Sequence, residues 1–128
     1  MEEQLASIVS KGPKRRVLVV VDADPRIDGR AAEAVRMAGG VGVWGQVEFH
    51  VVLRGAAARA VGEGAADFSN GKMYGQFIGM IREKGGKVWV MPDAEAMEVV
   101  STEEVLNHNL KEPAFNVMTT EFDSVMRF

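Results

Sequence analysis

The chain has 128 residues, of which 47% are hydrophobic and 26% are charged, and its formal net charge is -3. These values are typical of one globular domain with a single core, and the acidic balance gives no support for a nucleic-acid-binding surface. No apolar run approaches the roughly 20 residues that cross a bilayer, and the N-terminal residues lack the apolar core of a signal peptide. We therefore predict one cytoplasmic domain over residues 1–128 that binds neither membrane nor nucleic acid.

Cysteine is absent and histidine is rare, which limits the chemistry that the chain can perform. Without a thiol, no disulfide, thiolate nucleophile, persulfide or thiolate metal site can form. His50 and His108 lie far apart in sequence without ligand spacing, and His50 falls within a strand-like run, which favours a structural or surface role. We therefore predict no metal centre and no cofactor.

The N-terminal part of the chain alternates between helix-like and strand-like patterns. Residues 2–10 are predicted to form a short amphipathic helix within an N-terminal extension. The run VLVVV is continuous rather than alternating, so residues 16–21 are predicted to form a strand that is buried on both faces. Asp28 is suited to cap a helix that continues to residue 38, and Gly39-Gly40 is predicted to end it.

The middle of the chain repeats this alternation. Two further strands are predicted over residues 47–53 and 87–91, and the second of them is ended by Pro92. A short alanine-rich helix over residues 55–61, a loop and a longer amphipathic helix over residues 72–84 connect the two strands.

The C-terminal part is predicted to contain a helix over residues 102–110 and two short strands, over residues 115–118 and 124–128. Strands that alternate with helices imply right-handed crossovers and a parallel sheet covered on both faces. The predicted fold class is therefore α/β, a three-layer α/β/α sandwich with a mostly parallel sheet of about five strands.

The paired acids that follow the first predicted strand are also typical of response-regulator receiver domains. Phosphotransfer in such domains requires an acceptor aspartate at the end of a central strand, but the second strand ends in Leu53-Arg54. The residue four positions before Pro92, where the Met-Pro context would place the acceptor, is Val88. We therefore reject an active receiver.

Four segments, in order, resemble the DsrE/DsrF-like family, which includes the YchN and TusBCD proteins of sulfur relay. VLVVVDADPRIDGRAAEAVRMAGG resembles the first strand and helix of the family, and VEFHVVLRGAAARAV resembles its second strand and the following small-residue helix. MYGQFIGMIREKGGKVWVMPDA is similar to its amphipathic helix and third strand, and FDSVMRF to its terminal strand. The resemblance covers residues 15–128 and implies a flavodoxin-related three-layer fold that associates into homo-oligomers.

The main departure from this family lies after the third strand. Sulfur-carrying members place a reactive cysteine there, whereas residues 91–96 read MPDAEA and contain no thiol. A methionine thioether cannot form a persulfide. The resemblance therefore implies an accessory, scaffolding or ligand-sensing subunit linked to sulfur metabolism, with a sulfur-relay protein as partner and no sulfurtransferase activity of its own.

An alternative function follows from the rule that open α/β sheets bind ligands beyond the carboxyl ends of their strands. This rule predicts a small polar or anionic ligand, or an enzyme substrate, at an edge that contains Asp22, Asp24, Arg26, Arg54, Asn70, Tyr74 and Asp93. In a purely structural interpretation, the same acids shape turns and the arginines form surface ion pairs. A third possibility is a different flavodoxin-like module with an interaction role.

The helix over residues 72–84 carries Gly75 and Gly79, which continue a four-residue spacing that begins at Gly71. Each interior glycine costs about 1 kcal/mol relative to alanine, a cost that close approach of another backbone usually offsets. That backbone is either the sheet of the same chain or a second subunit. We predict a homo-oligomer, a dimer, a trimer or a multiple of either, with Tyr74, Gly75 and Phe77 at its interface.

Overall fold

The structure, a computed structural model, describes residues 15–41 and 47–128. Its four strands, all parallel, form one sheet in the order β3-β2-β1-β4. The strands are β1 (Arg15–Val21), β2 (Val47–Gly55), β3 (Val88–Pro92) and β4 (Ser124–Arg127). The helix predicted over residues 2–10 lies outside the described residues.

Helices cover both faces of the sheet, as predicted for a three-layer α/β/α sandwich. The α-helices are α1 (Arg30–Val41), α2 (Lys72–Glu83), α3 (Ala94–Met97), α4 (Thr102–His108) and α5 (Glu112–Met118), and two 3-10 helices span Ala56–Val61 and Ala65–Asp67. Helices α1 and α2 pack on one face, where the larger core lies, and α5 packs on the other. In the described part of the chain, no helix is long and apolar enough to cross a membrane.

Strand β1 is buried on both faces, as its uninterrupted aliphatic run predicted. Val19 and Val21 face α1 and α2 in the larger core, whereas Leu18 and Val20 face α5, and all four are 0% exposed. Burying one such side chain stabilises the fold by about 1.5–3 kcal/mol relative to an exposed position. The strand can therefore exist only with a helical layer on each side.

The smaller core on the α5 side contains His50, which is 6% exposed. Its ring stacks on Trp89 at 5.6 Å between centroids and meets the edge of Phe122 at 5.3 Å. The Lys87 amide donates to Nδ1 at 3.1 Å, so the neutral ring carries its proton on Nε2 and donates it to Glu48 at 2.7 Å. This hydrogen bond holds the pKa of the Glu48 carboxyl below its ordinary value, and His50 connects β2 to the start of β3.

The fifth strand predicted over residues 115–118 is wrong, because these residues belong to α5. Pro113 stands at the start of this helix, where its missing amide and fixed φ are favourable. Phe115, 3% exposed, fills the smaller core from the helix instead of from a strand. The sheet therefore has four strands in the described residues.

The predicted helix end at Gly39-Gly40 is also wrong, since α1 continues through both glycines to Val41. A Cβ at Gly39 would lie 2.9 Å from the Cβ of Phe77 and 3.0 Å from its carbonyl oxygen. Gly39 is therefore the position at which α2 approaches the backbone of α1, whereas a Cβ at Gly40 would meet no described atom within 4 Å.

This contrast predicts opposite effects of the same substitution at adjacent positions of α1. Gly39→Ala should lower the free energy of unfolding by about 1–3 kcal/mol, because Phe77 and its backbone must move. Gly40→Ala, the matched control, should raise it by up to about 1 kcal/mol through helix propensity. Urea denaturation of both variants measures the difference, and equal stability would contradict the assigned contact.

Candidate functional site

The carboxyl ends of the parallel strands meet at one edge of the sheet, and the predicted acids and Arg54 lie there. Asp22 and Asp24 follow β1, Arg54 lies at the end of β2, and Asp93 follows β3. The structure does not unite them in one site, because they divide between the two faces of the sheet.

The position between β1 and β4 is the topological switch point, at which open α/β folds usually bind ligands. Here the carbonyl of Phe128 accepts hydrogen bonds from the amides of Asp22, at 2.8 Å, and Ala23, at 3.3 Å. The Phe128 ring packs against the larger core. The residue that follows β4 therefore lies against the residues that follow β1 at this position.

Asp22 and Arg54 form an ion pair on the side of the sheet that α5 covers. The Arg54 Nε lies 3.4 Å from Asp22 Oδ1, and the guanidinium lies 4.7 Å from the centroid of the Phe115 ring. Asp22 and Arg54 each come two residues after a valine, Val20 or Val52, whose side chain points into the smaller core. Because side chains alternate along a strand, both point to that same face. The charge of Arg54 is therefore already engaged, as the structural interpretation of these residues expected.

Asp24 lies in the turn after β1 and is held by Arg26. Its carboxylate accepts from the Arg26 amide at 2.9 Å and from the guanidinium at 2.8 and 3.1 Å. The side-chain hydrogen bonds from Arg26 hold the pKa of the Asp24 carboxyl below its ordinary value, and the charge of Arg59 acts in the same direction. Asp24 is therefore ionised at neutral pH.

Tyr74, in the first turn of α2, is only 1% exposed, and its ring is part of the larger core. Its hydroxyl is buried, yet it has no hydrogen-bond partner among the described residues. Burial raises the pKa of this hydroxyl, and the negative charge of Asp24 raises it further. A buried polar group without a partner costs about 1–3 kcal/mol, so native structures rarely retain one.

Arg59 lies in the 3-10 helix after β2, among the buried alanines Ala57, Ala58 and Ala60. Its side chain is 14% exposed, and its Nε is buried without a partner among the described residues. Its Nη2 lies 3.7 Å from Glu95, a carboxylate that is itself mostly exposed. We call Asp24, Arg59 and Tyr74 the edge cluster, because the charge of Arg59 lowers the pKa of Asp24, the charge of Asp24 raises the pKa of Tyr74, and helix α2, which carries Tyr74, contacts the 3-10 helix that carries Arg59.

The remaining predicted site residues have structural roles. Asp93 caps α3, since its Oδ1 accepts from the Ala96 amide at 2.8 Å. Asn70 is exposed and adopts a positive φ of 61°, which suits the turn before α2. In the described part of the chain, no three acidic or histidine side chains lie close enough together to hold a metal ion.

Sequence reasoning missed Arg59 and Glu95, although one signal was present. The segment AAARAV places a single charged residue in an otherwise small and apolar helix directly after a buried strand. A charged side chain in such a position is rarely fully exposed to solvent, so its charged group requires either a buried partner or a ligand.

The predicted interface on α2 is only partly available to a second chain. Tyr74 is buried within its own chain, and Phe77 packs against Gly39. A Cβ at Gly75 or Gly79 would meet no described atom within 4 Å, so the sheet of the same chain is not the backbone that approaches them. The homo-oligomer stays a prediction, and of the predicted interface residues Gly75 is the one that is exposed.

No family model, curated protein or solved structure matches the chain. The DsrE-like resemblance therefore stays a prediction.

The environment of Tyr74 predicts a measurable titration, because it is the single tyrosine of the chain. The phenol of the folded protein should ionise at a higher pH than that of the urea-unfolded chain, since burial and Asp24 raise its pKa. Stability should therefore fall as the pH rises above the unfolded pKa, where the unfolded state has lost the proton that the folded state retains. Phenolate absorbance during a pH titration measures both midpoints.

Asp24→Asn should lower the midpoint of the folded protein, because it removes a negative charge that opposes ionisation. Asp22→Asn, which removes the same charge from the other side of the edge, is the control and should leave the midpoint unchanged. Equal midpoints in the folded and unfolded chains would contradict the assigned environment of Tyr74.

Proposed function

We propose that this protein binds a small polar ligand that carries an oxyanion, and that the edge cluster is its binding site. The observation that carries this proposal is that two of the three buried donors without partners in the described residues, the Tyr74 hydroxyl and the Arg59 Nε, lie near the carboxyl ends of the strands, whereas the third, the Arg82 Nε, belongs to a guanidinium that bonds to Glu104 and to the Val88 carbonyl. Both are held by packed elements, α2 and the 3-10 helix after β2. Because both donors are covered in this structure, binding would first have to open access to them, and a ligand oxyanion would then accept a hydrogen bond from each.

The energetics of Arg59 support a ligand rather than a structural role. A buried guanidinium is costly unless a carboxylate or another acceptor compensates its charge. The 3.7 Å separation from the exposed Glu95 is longer than a hydrogen bond and supplies little compensation. The energetics of Tyr74 point the same way, because phenylalanine would fill the same space without an unsatisfied hydroxyl.

The DsrE-like resemblance supports a ligand-sensing role at the same edge as a second candidate. In that family the reactive cysteine follows the third strand, and the corresponding stretch here contains Glu95, the acid nearest to Arg59. An accessory subunit that senses a ligand would use this edge for binding after the loss of the thiol. The homo-oligomer and the sulfur-relay partner belong to this second proposal.

The proposal predicts a ligand-dependent rise in melting temperature that depends on the edge cluster. Thermal-shift assays with small carboxylates, amino acids, inorganic phosphate, sulfur oxyanions and nucleotides should identify at least one compound that stabilises the protein. Tyr74→Phe and Arg59→Met should each weaken its binding about 10–100-fold, because a hydrogen bond to a charged group contributes about 1.5–3 kcal/mol.

Arg54→Met is the matched control, since it removes the same charge from the same edge but from a residue paired with Asp22. This variant should retain the shift. Tyr74→Phe should also unfold at an unchanged or higher temperature without ligand, because it removes an unsatisfied hydroxyl. Binding that survives both Tyr74→Phe and Arg59→Met, or a panel without any stabilising compound, would refute the proposed function.

A further inference from the structure

The two lateral edges of the sheet differ in how the chain covers them. At the β3 edge, the Leu110 amide donates to the Val90 carbonyl at 2.9 Å, and Asn109 forms a parallel bridge with Val90. At the other edge, β4 pairs with β1 alone within residues 15–41 and 47–128. The outer side of an edge strand carries amides and carbonyls that can pair with a strand of another chain.

The hydrogen bonds between β1 and β4 show which backbone groups of β4 face outward. The Phe128 amide donates to the Val20 carbonyl at 2.9 Å, and the Phe128 carbonyl accepts from the Asp22 amide at 2.8 Å. The amide and carbonyl of one strand residue point to the same side, and successive residues alternate. Counted back from Phe128, every second residue therefore points to β1, whereas the amides and carbonyls of Val125 and Arg127 point away from the sheet.

The apolar side chains of β4 are incompletely covered on both faces of the sheet. Val125 lies beside Leu18 on the face of the smaller core, and Met126 lies beside Val19 on the face of the larger core. Val125 is 37% exposed and Met126 is 39% exposed, although Leu18 and Val19 are fully buried. A further strand beside β4 would cover both side chains and pair the outward backbone groups at the same time.

The charges that flank Val125 determine which strand fits this edge. Asp123 precedes it by two residues and Arg127 follows it by two, and both are exposed. Arg127 belongs to none of the ion pairs among the described residues, and Asp123 uses its Oδ2 to accept from the Arg16 amide at 2.7 Å. Two copies of β4 in antiparallel orientation, centred on Val125, would place each Asp123 opposite Arg127 of the other copy. A parallel pair in register would place like charges opposite each other, which is unfavourable.

From these observations we propose that β4 pairs with β4 of a second copy of this chain, antiparallel and around a two-fold axis at Val125. Two four-stranded sheets then join into one continuous sheet. The outward amides and carbonyls of the two Val125 residues bond to each other as one hydrogen-bonded pair. A two-fold interface uses the same surface on both copies, which this self-complementary charge pattern allows. The surface differs from the one predicted on α2 and does not depend on the proposed ligand.

Sedimentation equilibrium of the full chain over a series of concentrations tests this interface. A short strand gives a small interface of the kind that weak complexes use, so the series extends to about 1 mM. The chain should show a reversible equilibrium between monomer and dimer. The Val125 amide should exchange with solvent more slowly at high than at low protein concentration, because its hydrogen bond forms only in the dimer.

Charge variants test the antiparallel register. Arg127→Glu should raise the dissociation constant of the dimer about 10-fold or more, because it makes both cross-strand charge pairs repulsive. Asp123→Lys should weaken the dimer in the same way, and the double variant should bind more tightly than either single variant because its charges are again opposite. Lys111→Glu is the control, since it makes the same charge change next to Leu110 at the β3 edge and should leave the dissociation constant unchanged.

A backbone variant tests the strand pairing itself. Val125→Pro removes an amide that points away from the sheet, and edge strands tolerate proline at such positions. This variant should stay folded and be monomeric. Val125→Thr, the matched control, keeps the amide and the branched side chain and should dimerise. If Val125→Pro fails to fold, the charge variants still decide.

Two results would overturn the inference. A chain that stays monomeric at the highest concentration would leave this edge to another occupant, such as residues 1–14 of the same chain or a different protein. A dimer whose dissociation constant is unchanged in Arg127→Glu and in Val125→Pro would have its interface elsewhere, with the predicted surface on α2 as the next to test.

Discussion

The burial of β1 on both faces is the constraint on which the other features of this structure depend. Its side chains alternate between two cores, so the chain must supply helices to each side, and the crossovers to β2 and from β3 to β4 place those helices accordingly. The same alternation determines the face of the sheet to which the first side chain after the strand points. Asp22 continues it towards α5, where it pairs with Arg54, whereas Asp24 begins the turn that follows and is held by Arg26, with the charge of Arg59 acting on its pKa.

The two sides of the carboxyl edge differ in how completely their polar groups are satisfied. On the α5 side, Asp22 and Arg54 pair with each other and Phe115 covers the guanidinium. On the other side, Arg59 and Tyr74 keep buried donors without partners. Proteins retain such destabilising groups mainly where function requires them, because selection for stability alone would remove them. This asymmetry, rather than the number of charged residues, distinguishes a candidate site from a set of surface ion pairs.

Glycine has two different roles in the helices of this protein. Gly39 permits a close contact between α1 and α2, and this packing offsets the low helix propensity of glycine. Gly75 and Gly79 have no such neighbour in the described residues, although their spacing first suggested one. The spacing of glycines along a helix therefore identifies a face, but only the packing of the neighbouring helix shows whether that face is in contact within the chain.

The sequence by itself determined the α/β class, the four strands β1 to β4 and the burial of β1 on both of its faces, because continuous aliphatic runs and helical periodicity are local patterns. The period of two along a strand places Asp22 on the face of Val20 and Arg54 on the face of Val52, but the register of β1 against β2, which brings the two residues together, is a property of the tertiary structure. Only the tertiary structure decided that residues 115–118 form part of a helix, that the Phe128 carbonyl accepts from the residues that follow β1, and that the charge of Arg59 acts on Asp24 and the charge of Asp24 on Tyr74. These outcomes depend on contacts between residues distant in sequence, where the packing of whole elements outweighs the local propensity of any one segment.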